Sequence, residues 1–210
     1  MPFTWNYIYK NGKLFGDSLN NSNFSLTNNK IFSYPGYNEI LTGEADSTIN
    51  SNAKIYNKNV TVLEKLNQTN NYKNKIAGFA SWDVFPYIIN DKRSGIPVNA
   101  GYMEELNIKT PIVDYINKNQ KRTPVIWENV RLDVYTHNLA LEYIKKKRPK
   151  LVYIAYGETD DFAHGGKYDF YINSLNYTDN MIAELWGYVQ SNKFYKDNTY
   201  FIITTDHGRG

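Results

Sequence analysis

Residues 151–166 read LVYIAYGETDDFAHGG, and residues 200–208 read YFIITTDHG. In each, an apolar run rich in β-branched and aromatic residues passes straight into a polar, glycine-containing turn. Leu151–Tyr156 and Tyr200–Thr205 therefore read as strands. Their apolar character is continuous, not alternating, which marks strands covered on both faces. Working outward, Arg131–Arg148 reads as a helix with Leu132, Tyr135, Leu139, Tyr143 and Ile144 on one side, and Asp169–Gln190 as a long amphipathic helix. Upstream, Lys75–Ser81 (KIAGFAS) reads as a short buried strand. Helices alternating with continuous apolar strands give an α/β fold: a mainly parallel, in part mixed, central sheet with helices on both faces. In such sheets chemistry gathers at the carboxyl ends of the strands.

The remaining segments are less regular. At the start, Phe3, Trp5, Ile8 and Tyr9 share a helical face that Asn11-Gly12 stops. Residues 13–30 read as an exposed loop. SYPGYNEILTG has proline in the first turn and Gly43 past the last, the pattern of a short helix from Pro35 to Gly43. Val60–Asn70 reads as a helix with Val62, Leu63 and Leu66 inward, residues 83–90 as a helical turn and residues 91–101 as a loop. Pro111–Lys118 reads as helical and Thr123–Trp127 as a strand. The basic run KKKRPK (145–150) closes a helix: cations favour a helix C-terminus, and Pro149 marks the stop.

Composition narrows the classes. The chain has 210 residues, 41% apolar and 16% aromatic, enough for a real core and too hydrophobic for disorder. A net charge of +3 predicts no nucleic-acid surface. No apolar run approaches the ~20 residues of a membrane span. Cysteine is absent, which removes disulfides, thiolate metal sites and a Cys nucleophile. The first residues lack the pattern of a secretory signal, so a periplasmic or extracellular location is expected only if a longer protein supplies one. The last strand runs into its turn with no element to cover it. Residues 1–210 thus read as a single partial domain, a fragment. Nothing in the sequence fixes an oligomeric state.

Two of the three histidines follow apolar runs beside aspartates: Asp160 with His164, and Asp206 with His207. Asp and His are oxygen and nitrogen ligands for Zn²⁺, and imidazole disfavours a plain Mg²⁺ or Ca²⁺ site. The same residues also form turns and strand-end caps. His137 lies within a helix without acidic neighbours at ligand spacing and reads as structural. Ser33 stands where a loop enters the Pro35–Gly43 helix. It reads either as an N-cap or as a nucleophile whose target anion rests on the N–H groups of the helix start.

Together these motifs resemble the alkaline phosphatase superfamily, with its phosphodiesterase, sulfatase and phosphoglycerate-mutase-like members. FSYPGYNEILTG is similar to the family's nucleophile helix, with Ser33, then Pro35, then Thr42-Gly43. Glu158, Asp160, Ala163, His164 and Gly166 resemble its Glu-x-Asp-x-x-small-His-x-Gly run, and Thr204–Gly208 its Thr-Thr-Asp-His-Gly end. The resemblance implies a metal-dependent hydrolase of small phosphate esters, monoesters or diesters, acting through a phosphoserine on Ser33. It implies two divalent ions, zinc first and manganese second. Asp160 and His164 would serve one, and Asp206, His207 and Ser33 the other. A third ligand to each, a later histidine and an earlier aspartate, is not among these residues, so the 210-residue chain is itself expected to be inactive. Where relatives place Asn after the proline to hold a phosphoryl oxygen, this chain has Gly36, with Asn38 two places on; both are weak substrate-contact candidates. Sulfate or phosphonate ester hydrolysis, a phosphate mutase and a non-catalytic metal- or anion-binding fragment are the alternatives. Tyr37, standing where sulfatases carry Arg, argues against the first of these.

Overall fold

The computed structural model describes residues 1–208. It contains two compact units, one of Met1–Thr27 with Thr159–Thr205, the other of Asn28–Glu158 with the segment from Asp206. In the first, a π-helical turn Thr4–Ile8 runs into α1, Tyr9–Asn11, which stops at Gly12 as expected. Trp5 and Tyr9 are exposed, not inward. This turn docks on the long helix α9, Tyr168–Ser191, through the Asp179 carboxylate, which accepts the N–H groups of Phe3 and Thr4 at 2.7 and 2.8 Å.

The second unit holds the sheet. Its strands are β1, Ile76–Ala80; β2, Val98–Ala100; and β3, Leu151–Ala155. They are parallel in the order β2-β1-β3, with Phe79 opposite both Asn99 and Ile154. Strand alternation splits the core in two. Ile76 and Ala80 face a cluster built by Tyr34 and Leu41 of α2 (Ser33–Thr42), Leu63 of α3 (Val62–Asn67) and Phe85, Ile88 and Ile89 of α4 (Phe85–Ile89). Ala77 and Phe79 face Val113 and Ile116 of α6 (Pro111–Asn119) and Leu139, Ala140 and Tyr143 of α7 (Asp133–Lys147). The expected α/β fold, a parallel sheet covered on both faces, is therefore present.

Several expectations are corrected. Residues 91–101 contain a short helix α5, Asp91–Ser94, and strand β2, where a loop was read. Three residues after a proline are too short to show a period. Tyr200–Thr205 and Thr123–Trp127 form no strand among the described residues: their propensity finds no partner ladder, and Tyr200 and Ile202 are exposed. Val62 points outward; Thr61 caps that helix instead, accepting from Glu64 N–H at 3.2 Å. Helix α7 ends where Arg148 takes a left-handed φ of 49° before Pro149.

Phe79 is 2% exposed at the centre of β1. Phe79→Ala is expected to cost about 3–5 kcal/mol in a urea titration. Ile126→Ala, at an exposed position, should stay within about 0.5 kcal/mol.

Candidate metal centre

Helix α2 opens abruptly. Phe32 is extended (φ −127°, ψ 147°), Ser33 is the first helical residue, and the first turn is capped from outside the helix, the Asn52 side-chain oxygen accepting the N–H of Tyr34 at 3.0 Å. The N-cap reading of Ser33 therefore fails by one position. Pro35 sits in the first turn, where its missing N–H is no loss, and Gly43, at φ 81°, closes the helix with its N–H on Glu39 O at 2.8 Å. The Ser33 hydroxyl is 3.3 Å from Nε2 of His207.

What brings these two together is Gly36. A Cβ at this position would overlap the carbonyl oxygen of Asp206 and lie 2.9 Å from its carbonyl carbon. The first turn of α2 thus packs directly on the backbone of Asp206. Gly36 acts here as a point of close approach. Asn38, the other weak substrate candidate, is fully buried. It accepts from the Asn57 and Asn59 amides at 3.0 and 3.2 Å, donates to Glu44 O, and so pins the loop 44–59.

The ring of His207 is oriented by its other nitrogen. Nδ1 lies 2.9 Å from Gly208 O. A carbonyl oxygen only accepts, so Nδ1 carries a proton, and in the neutral ring Nε2 would present a lone pair. Nε2 is 3.5 Å from Asp206 Oδ2 and 3.3 Å from Ser33 Oγ. In the neutral ring, the Asp206 carboxylate and Nε2 would be two acceptors facing one another, which a cation would reconcile. Donors bound at ~2.0–2.2 Å around a tetrahedral zinc stand about 3.3–3.6 Å apart, so the spacing fits such an ion. A backbone carbonyl on the far ring nitrogen is also the usual support of a metal-binding histidine. No group of three or more His, Cys, Asp or Glu side chains at ligand spacing occurs among the described residues.

Asp160 and His164 lie in the other unit, one turn apart on α8, Glu158–His164. Their Oδ2 and Nε2 atoms are 3.3 Å apart, and both side chains are open to solvent. Neighbouring Asp161 is pushed up to about 6, by burial first and by the Asp160 charge second.

One polar cluster was not signalled by the sequence. Asp133, fully buried at the start of α7, accepts from Ser81 Oγ at 2.5 Å and from the N–H groups of Gly157 and Glu158 at 2.7 and 3.1 Å. Glu158 Oε1 accepts the N–H of Asp133 at 2.8 Å. Arg131, also fully buried, donates to Thr136 Oγ1 and Asn99 Oδ1 at 2.8 and 2.6 Å. Burial lowers its pKa to about 9, so it stays charged at neutral pH. Only an Asp just inside a helix start hinted at this cluster. His137 is buried with Nδ1 at 2.9 Å from the Tyr156 hydroxyl, consistent with its structural reading.

The fold is a parallel α/β sheet, and Ser33, Asp206 and His207 come together at the start of α2. The family model described as the Metalloenzyme superfamily matches residues 33–209. The chain belongs to that family, within the alkaline phosphatase-like superfamily, and is thus one of its metal-dependent enzymes. The matched span begins at Ser33 and takes in both Asp-His pairs. No curated protein and no solved structure matches the chain. Among the described residues, no helix is long and apolar enough to cross a membrane.

Two outcomes follow from this geometry. In an ordinary helix interior, Gly→Ala gains about 1 kcal/mol. At Gly36 the methyl meets backbone, so Gly36→Ala should instead cost about 1–3 kcal/mol, read as a lowered melting temperature. The second concerns pH. Burial, and then the Glu158 charge, raise Asp133 from 3.8 to about 7. A carboxyl raised on folding favours the protonated folded state, so its contribution is full at low pH and is lost as pH rises through 7. The urea midpoint should fall more between pH 5 and pH 8 in the wild type than in Asp133→Asn.

Proposed function

We propose that this chain supplies the nucleophile and metal-binding core of a hydrolase of small phosphate esters that works through a phosphoserine. The observation that supports this reading best is the Ser33 hydroxyl, uncommitted to helix capping and 3.3 Å from a ring nitrogen whose lone pair is exposed by the Nδ1–Gly208 bond. Ser33, Asp206 and His207 would hold one divalent ion, and Asp160 and His164 a second. Zinc is the first choice for an Asp/His set and manganese the second. When bound, the ions would favour the alkoxide of Ser33 and neutralise charge on the phosphoryl oxygens.

Ser33 Oγ then attacks phosphorus in line. The Oγ–P bond forms, the ester P–O bond breaks, and the alcohol leaves with a proton. Water attacks the phosphoserine, the Oγ–P bond breaks, and Ser33 and inorganic phosphate are regenerated. A poor nucleophile without help, Ser33 depends on the ion for the first step and contributes the covalent route itself.

In a zinc-loaded preparation that turns over p-nitrophenyl phosphate, Ser33→Ala should lower kcat by orders of magnitude. Zinc content should fall far less than turnover, and Ser33→Thr should retain part of the activity. Acid-quenched wild type should carry phosphate on the Ser33 peptide. Near-normal turnover by the alanine variant would refute the nucleophile assignment.

A further inference from the structure

Helices α7 and α8 both begin at the carboxyl end of the sheet, and neither is capped by its own preceding residue. Leu132 precedes α7 and makes no side-chain cap. Gly157 precedes α8 and has no side chain to offer. Each helix is capped by the first residue of the other. The Asp133 carboxylate takes the N–H groups of Gly157 and Glu158, and the Glu158 carboxylate takes the N–H of Asp133. Two acids side by side repel, and the helix-start N–H groups and the Ser81 hydroxyl on Asp133 offset part of that repulsion.

We propose that Asp133 and Glu158 are positioning residues: a cross-capping pair that fixes the first turn of α8 and thereby presents the Asp160–His164 pair to a divalent ion. This rests on the metal reading given above. The pair does not touch the ion. It sets the backbone from which, within the next turn, both ligands leave. Ser81, at the end of β1, anchors the clasp to the sheet, so the first turn of α8 is tied to the most buried strand of the unit. Short helices depend on such caps more than long ones, because few internal hydrogen bonds hold them; α8 has seven residues.

The test uses the whole chain, zinc ions alone, and the ring signals of the three histidines by NMR. In the wild type, zinc should perturb both His164 and His207. Asp133→Asn places an amide NH₂ where acceptors are needed, so the His164 response should weaken by about tenfold or more, the range seen when an outer partner of a metal ligand is lost. The His207 response should stay within about twofold, and hydrogen exchange at the amides of Gly157 and Glu158 should speed up. If Asp133→Asn does not fold, the Glu158 variants decide. Glu158→Gln keeps an acceptor for Asp133 N–H and should retain the His164 response, while Glu158→Ala should lose it. Equal weakening at His164 and His207, or none at His164 in the variants that remove the acceptor, would overturn the proposal. A wild type in which zinc moves neither histidine would instead defeat the metal reading on which it rests.

Discussion

Strand β1 has a parallel neighbour on each edge and a packed core on each face, and no residue of Ile76–Ala80 is exposed. Parallel neighbours cannot be joined by tight turns, so the chain must cross over through helices that cover the sheet. Every strand then ends at the same edge. That edge is where Ser81 leaves β1 and Gly157 leaves β3, and where helix α7 starts. Backbone groups released there need partners, and a buried end without them costs heavily. The Ser81–Asp133–Glu158 cluster meets that need, and Arg131 with Asn99 meets it beside β2. Polar side chains collect at the carboxyl end because the topology leaves unpaired backbone there.

Helix α2 answers to a different constraint, steric and not electrostatic. Gly36 removes the one Cβ that would hold α2 away from Asp206. The resulting contact places a hydroxyl, a ring nitrogen and a carboxylate within a few ångströms, and the Nδ1–Gly208 bond decides which face of the imidazole is available. The proposed chemistry rests on three local facts: a helix that starts one residue too early for Ser33 to cap it, a glycine where a methyl cannot fit, and a ring held by a carbonyl.

Much of this was legible. KIAGFAS reads as a buried strand and LVYIAY as a continuous apolar one; both are strands, β1 buried throughout and β3 half-buried except at Ala155. The helices of Asp133–Lys147 and Tyr168–Ser191 followed from their apolar periodicity, and Pro35 with Gly43 bracketed α2. The rest was hidden for identifiable reasons. Strand β2 is three residues long and owes its existence to the edge of β1. YFIITT has strong strand propensity, yet propensity needs a partner. Ser33 missed the cap position by one residue, a shift that sequence patterns do not resolve. Gly36 was noticed for the wrong reason: absence of the family's asparagine, when the relevant property is absence of a Cβ. The Asp133–Glu158 pair is separated by 25 positions and carries no spacing signal.

The central claim is that Ser33, Asp206 and His207 form a divalent-ion site with Nε2 of His207 as its nitrogen ligand. The most direct measurement is the tautomer of His207, read from long-range ¹⁵N–¹H correlations with and without zinc. The account expects the Nδ1–H form in the free protein, and on adding zinc a change at Nε2 with the Nδ1 proton retained. An Nε2–H tautomer, or a ring nitrogen that zinc leaves unmoved, would contradict it.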